Sequence, residues 1–180
     1  MKLTGRPLPG EYADYAQSDI DAVSGNDAIA ALEQLRSETV ALFTQFGETG
    51  ADFSYGPGKW TVRQVLGHLA DDERIFAYRA LCIARGDLRA LPGFDENTYA
   101  EFARFERQSL SALLANYDAV RTSFITLLHS FDDEAWLRVG TVNGYAASPR
   151  GLAFHIAGHE LHHHRILRER YLPLLPSSAP

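Results

Sequence analysis

Five of the chain's seven histidines fall within the ten residues His155-Ile-Ala-Gly-His159-Glu-Leu-His162-His163-His164. Otherwise that stretch reads as an apolar helix. At roughly 100° per residue, His155, His159, His162 and His163 share about one third of the helix circumference with Leu152 and Ile166, the stripe that should face a core. His164 points the other way. Neutral imidazoles buried side by side need hydrogen-bond partners or a cation, and His159/His163 has the i, i+4 spacing that brings two ring nitrogens to one ion. The competing reading is a solvated, weakly basic helix end. A second helical stripe favours the metal. With Val65 set at 0°, His68 lies at roughly −60°, Leu69 at +40°, Asp72 at −20° and Phe76 at +20°, so a histidine and a carboxylate interrupt an apolar face. His68, His159 and His163 therefore form a three-nitrogen set for one divalent ion that leaves at least one position open, the pattern of a reactive site.

The neighbours of this set admit several roles. His155, one turn before His159, can donate a hydrogen bond to a ligand, compete as a ligand, or fill core. Asp72, one turn beyond His68, can orient an imidazole or accept a proton, since ligating histidines usually pass their second N–H to a carboxylate. It can equally be an exposed charge beside Asp71 and Glu73. Glu160 enters because His159-Glu160-Leu161-His162-His163 satisfies H-E-x-x-H, in which the glutamate is the general base of a zinc protease. After His163, however, only His164 and Glu169 precede the proline-rich tail, and no strand is predicted to hold an extended peptide. An open-coordinate ion lowers the pKa of a bound thiol or water, so thiol transfer and hydrolysis both fit, as does a non-catalytic metal site closed by His155 or Asp72. Imidazole donors suit zinc, nickel, copper and iron, with zinc or nickel the expected ion. Trp60, Phe76, Phe94, Tyr99 and Tyr145 either line a pocket for an organic electrophile or are ordinary packing.

Helices must position these groups, and the punctuation marks four long ones. Helix one spans about Asn26 to Phe46, where Ile29, Leu32, Leu35, Thr39, Leu42, Phe43 and Phe46 follow the i, i+3, i+4, i+7 rule and Gly47 stops the run. Thr61 and Gln64 make a capping-box signature for helix two, which runs to about Arg85 with Gly86 beyond it. Leu110 to Phe131 mark helix three. Ser148-Pro149 opens helix four, which ends before Pro173. No β-period stands out, so the fold class is all-α, a four-helix bundle of one domain over 1–180 with long inter-helix loops. Residues 1–24 form an N-terminal arm whose Tyr12, Tyr15, Ile20 and Val23 pack on the body, and 174–180 is expected to fray.

Composition restricts the partners. Of 180 residues 46% are apolar, enough for one buried core. Seventeen basic against 23 acidic residues give a net charge of −6, with no basic stripe, which argues against nucleic acid and anionic membrane. No run of 18 apolar residues and no signal-peptide pattern occurs, and the single cysteine, Cys82, fits a reducing cytoplasm.

Three segments carry a resemblance. Lys59-Trp-Thr-Val-Arg-Gln-Val-Leu-Gly-His68-Leu69, the Pro92-Gly-Phe-Asp-Glu-Asn97 loop and His155-Ile-Ala-Gly-His159-Glu-Leu-His162-His163 resemble the DinB-like superfamily over nearly the whole chain. The resemblance implies a four-helix bundle whose metal triad maps onto His68, His159 and His163. His162 and His164 lie outside that triad. It further implies activation of a low-molecular-weight thiol as in bacillithiol S-transferases and mycothiol-dependent isomerases, a small-molecule substrate, and a homodimer. The family name reflects damage-inducible expression and implies no DNA contact.

Overall fold

The computed structural model describes residues 5–87 and 89–175. After a 3-10 turn at Asp14–Ala16 come α1 (Gln17–Ala22), α2 (Ala28–Thr44), the single turn α3 (Gly47–Gly50), α4 (Val62–Ala84), α5 (Glu96–Phe102), α6 (Leu110–His129), α7 (Asp133–Leu137) and α8 (Pro149–Ile166). The long helices start where local chemistry satisfies their free N–H groups. Asp27 accepts from Ile29 and Ala30, Thr61 and Gln64 cap each other reciprocally, Ser109 accepts from Ala112, and Ser148 accepts from Gly151 with Pro149 in the first turn. The chain beyond α8 passes through a π-turn, Leu167–Tyr171, and a 3-10 turn, Leu172–Leu174. The expected frayed tail falls, from residue 176 on, outside the described residues.

α4 packs on α6 and α8, and α2 packs on the same two helices, so the order around the bundle is α2–α6–α4–α8. Its core is split along the axis. One apolar half gathers Ile29, Leu32, Phe76, Ile83, Phe124, Leu128, Leu152 and Ile156, and the other gathers Leu42, Phe43, Val65, Leu69, Leu113, Tyr117 and Leu167. Between them lies a layer of buried polar groups, Thr39, Asp72, Glu73, Arg121, Glu160 and His164, with His68 at its edge.

The N-terminal arm packs directly on α8, with α1 along it. A Cβ at Gly151 would stand 2.0 Å from the Glu11 carbonyl oxygen, and one at Gly158 would stand 1.9 Å from that of Asp19, so two glycines one heptad apart give the arm its seat. Glu11 fixes it, bonding Arg150 and the Ser148 hydroxyl. Ile20 and Val23 are buried as expected, whereas Tyr15 is largely exposed.

The expectation of no strand is corrected locally. Gly140–Val142 and Tyr145–Ala147 pair as a hairpin. Its turn, Asn143-Gly144, has φ of 50° and 81°, the left-handed pair that Asn-Gly adopts readily in two-residue hairpins. The hairpin holds the loop before α5, because Leu91 donates to Thr141 and Asn143 donates to Leu91. No helix of the described residues is long and apolar enough to cross a membrane.

Candidate metal centre

α4 brings His68 against His159 and His163 of α8. The Nε2 atom of His159 lies 3.3 Å from that of His68 and 3.1 Å from that of His163, and one ligand atom from each of the three residues lies within 4.8 Å of the others. The triad expected from spacing is thus assembled in space. Its backing is Asp72, whose Oδ1 stands 3.3 Å from His68 Nδ1 and whose Oδ2 stands 3.7 Å from His159 Nδ1. A carboxylate facing two Nδ1 atoms favours protons there and leaves both Nε2 lone pairs pointing at the common centre. Asp72 is buried, so of the two readings open for it the exposed charge is removed.

Burial disfavours the charged form of all four groups at the centre. Burial, together with the neighbouring imidazoles, pushes His68, His159 and His163 down to about 3, so all three are neutral at pH 7. Burial pushes the Asp72 carboxyl up to about 8. His159 Nδ1 and Asp72 Oδ1 are buried without a hydrogen-bond partner among the described residues. Three converging nitrogen lone pairs can share at most one bridging proton, whereas one divalent cation would satisfy all three and favour the ionised form of Asp72 behind them. The residues present fit such an ion.

Access is from two sides. A chamber of about 450 Å³ is lined by Tyr15, Asp72, Arg79, Phe94, His155 and His159, among others. A second, of about 230 Å³, is lined by Tyr55, Lys59, Trp60, Asn97 and Tyr171. His163 and Glu96 border both. Trp60 lines the smaller chamber beside the triad, its ring nearly parallel to that of His163 at 6.3 Å and 4.6 Å from that of His68, with its carbonyl held by the Tyr171 hydroxyl at 2.8 Å.

The other sequence candidates separate. His155 stands apart from the triad: its Nε2 is 3.3 Å from Asp19 Oδ2 on the arm and its ring packs edge-on against Phe76 and Tyr15. His162 is exposed at the mouth of the larger chamber. Glu160 is buried on the far side of α8, its carboxylate bonded by Arg121, by the Thr39 hydroxyl and by the Tyr117 hydroxyl at 2.5 Å. Those donors hold it below the usual carboxylate range although burial alone would raise it, and a base so occupied cannot serve a zinc-protease mechanism. His164 also turns inward: it is fully buried, 2.6 Å from the Thr39 hydroxyl. Of the aromatic candidates, Trp60, Phe76 and Phe94 line the chambers, while Tyr99 packs on Phe94 and Tyr145 on Tyr15. Arg79 was not among the candidates, yet a signal for it existed. At roughly 100° per residue it falls at −40°, on the stripe of His68 and Asp72.

Comparison with known proteins agrees with this architecture. A family model described as the DinB superfamily matches residues 31–167. Among solved structures, the chain is similar to YfiT from Bacillus subtilis, described as a probable metal-dependent hydrolase with an unusual four-helix bundle topology. The two share 22% identity and a TM-score of 0.73 over 92% of this chain and 91% of that one. Comparison with curated proteins gives no match.

Proposed function

The chain belongs to the DinB superfamily, and from that membership and the geometry above we propose that it transfers a low-molecular-weight thiol to a small organic electrophile at a site holding one divalent metal, zinc or nickel. The observation that carries this reading is the pair of chambers meeting at His163 and Glu96. Two compartments bordering one reactive centre suit the joining of two organic molecules, one held in each.

His68, His159 and His163 would hold the ion through Nε2, with Asp72 fixing the orientation of two of the rings. When bound, the ion supplies a Lewis acid that favours deprotonation of a thiol or water in its open position. The protein's contribution is geometric and electrostatic. Trp60, Phe76 and Phe94 give the chambers apolar walls, and Asp72 keeps the Nδ1 protons in place so that the ring nitrogens facing the chambers stay unprotonated. Cys82, the chain's single thiol, is buried in an apolar half of the core, so the nucleophilic sulfur comes from outside.

A second reading is hydrolysis, favoured by the description of YfiT as a probable metal-dependent hydrolase. Cobalt-substituted protein separates the two. Addition of 2-mercaptoethanol should produce a new sulfur-to-cobalt charge-transfer absorption, absent in His159→Ala. An unchanged spectrum at millimolar thiol, accompanied by metal-dependent cleavage of simple esters or amides, would replace thiol transfer with hydrolysis.

A further inference from the structure

Four arginines are buried among the described residues, Arg63, Arg79, Arg121 and Arg150. Three of them have carboxylate partners: Arg63 pairs with Glu48 and Asp52, Arg121 with Glu73 and Glu160, and Arg150 with Glu11. Arg79 differs. It is 6% exposed, its only hydrogen bond to a described residue runs from Nη2 to the Pro92 carbonyl at 2.9 Å, and no described carboxylate lies within ion-pair distance. Asp72, two turns back on α4, is near enough to be felt electrostatically and too far to pair.

The guanidinium carbon stands 5.3 Å from the centre of the Phe76 ring and 5.5 Å from that of Phe94, in the wall of the larger chamber. Aromatic rings and one carbonyl leave most of a five-donor group without a protein partner, and its remaining N–H groups open on the chamber rather than being sealed in the core. An anion arriving through the chamber would pair a charge that no described carboxylate pairs. We infer that Arg79 recognises a carboxylate on the small molecule that occupies the larger chamber, anchoring it while the reacting end faces the imidazoles. A carboxylate fits better than a phosphate, because it brings a single negative charge to the guanidinium fork, and Asp19, Asp72 and Glu96 in the same wall disfavour a second charge on the same group. The assignment deepens the proposed function and rests on that chamber being a substrate compartment.

The test uses metal-loaded protein and two probes of like shape, succinate and its uncharged diamide, with the melting temperature followed against probe concentration. Succinate should stabilise and the diamide should not. The apparent affinity for succinate should fall about tenfold or more in Arg79→Met, the loss expected for one buried charge-assisted contact. Methionine keeps an apolar stem between the two rings, and circular dichroism checks that the variant folds. The cobalt-thiol spectrum is scored separately, so an Arg79-dependent succinate response without a thiol response would sink thiol transfer and keep anion recognition. Equal responses to succinate and the diamide in the native protein, a comparison that needs no variant, would overturn the assignment. So would an unchanged succinate affinity in folded Arg79→Met, and inorganic phosphate binding as well as succinate would overturn the choice of carboxylate.

Discussion

Three pairs of adjacent residues, Asp72/Glu73, His159/Glu160 and His163/His164, are each divided between two polar regions of the same bundle. The first member of every pair faces the chambers; the second, one helical step of about 100° away, faces the bundle axis. On the axis side most groups bond one another, although Glu73 Oε2 and His164 Nδ1 have no hydrogen-bond partner among the described residues. Arg121 bonds Glu73 at 2.6 Å, Glu160, and the Leu32 carbonyl at 2.9 Å, while Thr39 links Glu160 to His164, so that α2, α4, α6 and α8 all contribute. On the chamber side three neutral imidazoles and one carboxylate have only each other. The two clusters differ in their cations: Arg121 sits within the axis cluster and bonds both of its carboxylates, whereas Asp72 and the three imidazoles have no arginine or lysine bonded to them among the described residues.

The largest effect should come from opening the closed cluster. Arg121→Met leaves Glu73 and Glu160 buried without their cation, and breaking such a pair costs about 3–5 kcal/mol. Urea unfolding should register that loss, and a change below about 1 kcal/mol would show that the network is dispensable. The site side should respond in metal rather than in stability. Asp72→Asn should weaken metal binding by about 10–100-fold, the range for losing a carboxylate behind ligating histidines, while the melting temperature of the metal-free protein stays level or rises because a buried acid is removed. Competition with a chromophoric chelator measures it, and an unchanged affinity would mean that Asp72 does not orient the rings. The smallest effect on metal is expected at His164→Ala. It should keep its ion and lose about 1–3 kcal/mol of stability, because the buried Thr39 hydroxyl keeps its bond to Glu160 and loses the one to His164. Loss of the ion as complete as in His159→Ala would show that the two faces of α8 are wrongly divided.

Much of this was legible in the sequence because it is local. The Thr61/Gln64 box, the Ser148-Pro149 start and the stripes carrying His68, Asp72, His159 and His163 depend on spacing along one helix, and the structure keeps each of them. The hairpin was missed although Asn143-Gly144 is a strong turn signal, because strands of three residues leave no alternation to read. The place of His164 could not be read from one helix. α8 is covered by the arm, α2 and α4 together, so most of its circumference is buried and lying off one stripe does not mean facing solvent. The Arg121 network was illegible for the same reason: a buried charge is stable only with partners that here come from three other helices.

Binding of one divalent ion by His68, His159 and His163 between α4 and α8 can be read by elemental analysis of untagged protein, native against His68→Ala and His163→Ala, after exhaustive dialysis. About one zinc or nickel per native chain is expected and little in either variant, with helix content unchanged. Near-stoichiometric metal in a variant lacking His68 or His163, or a native protein that takes up no divalent metal at all, would contradict it.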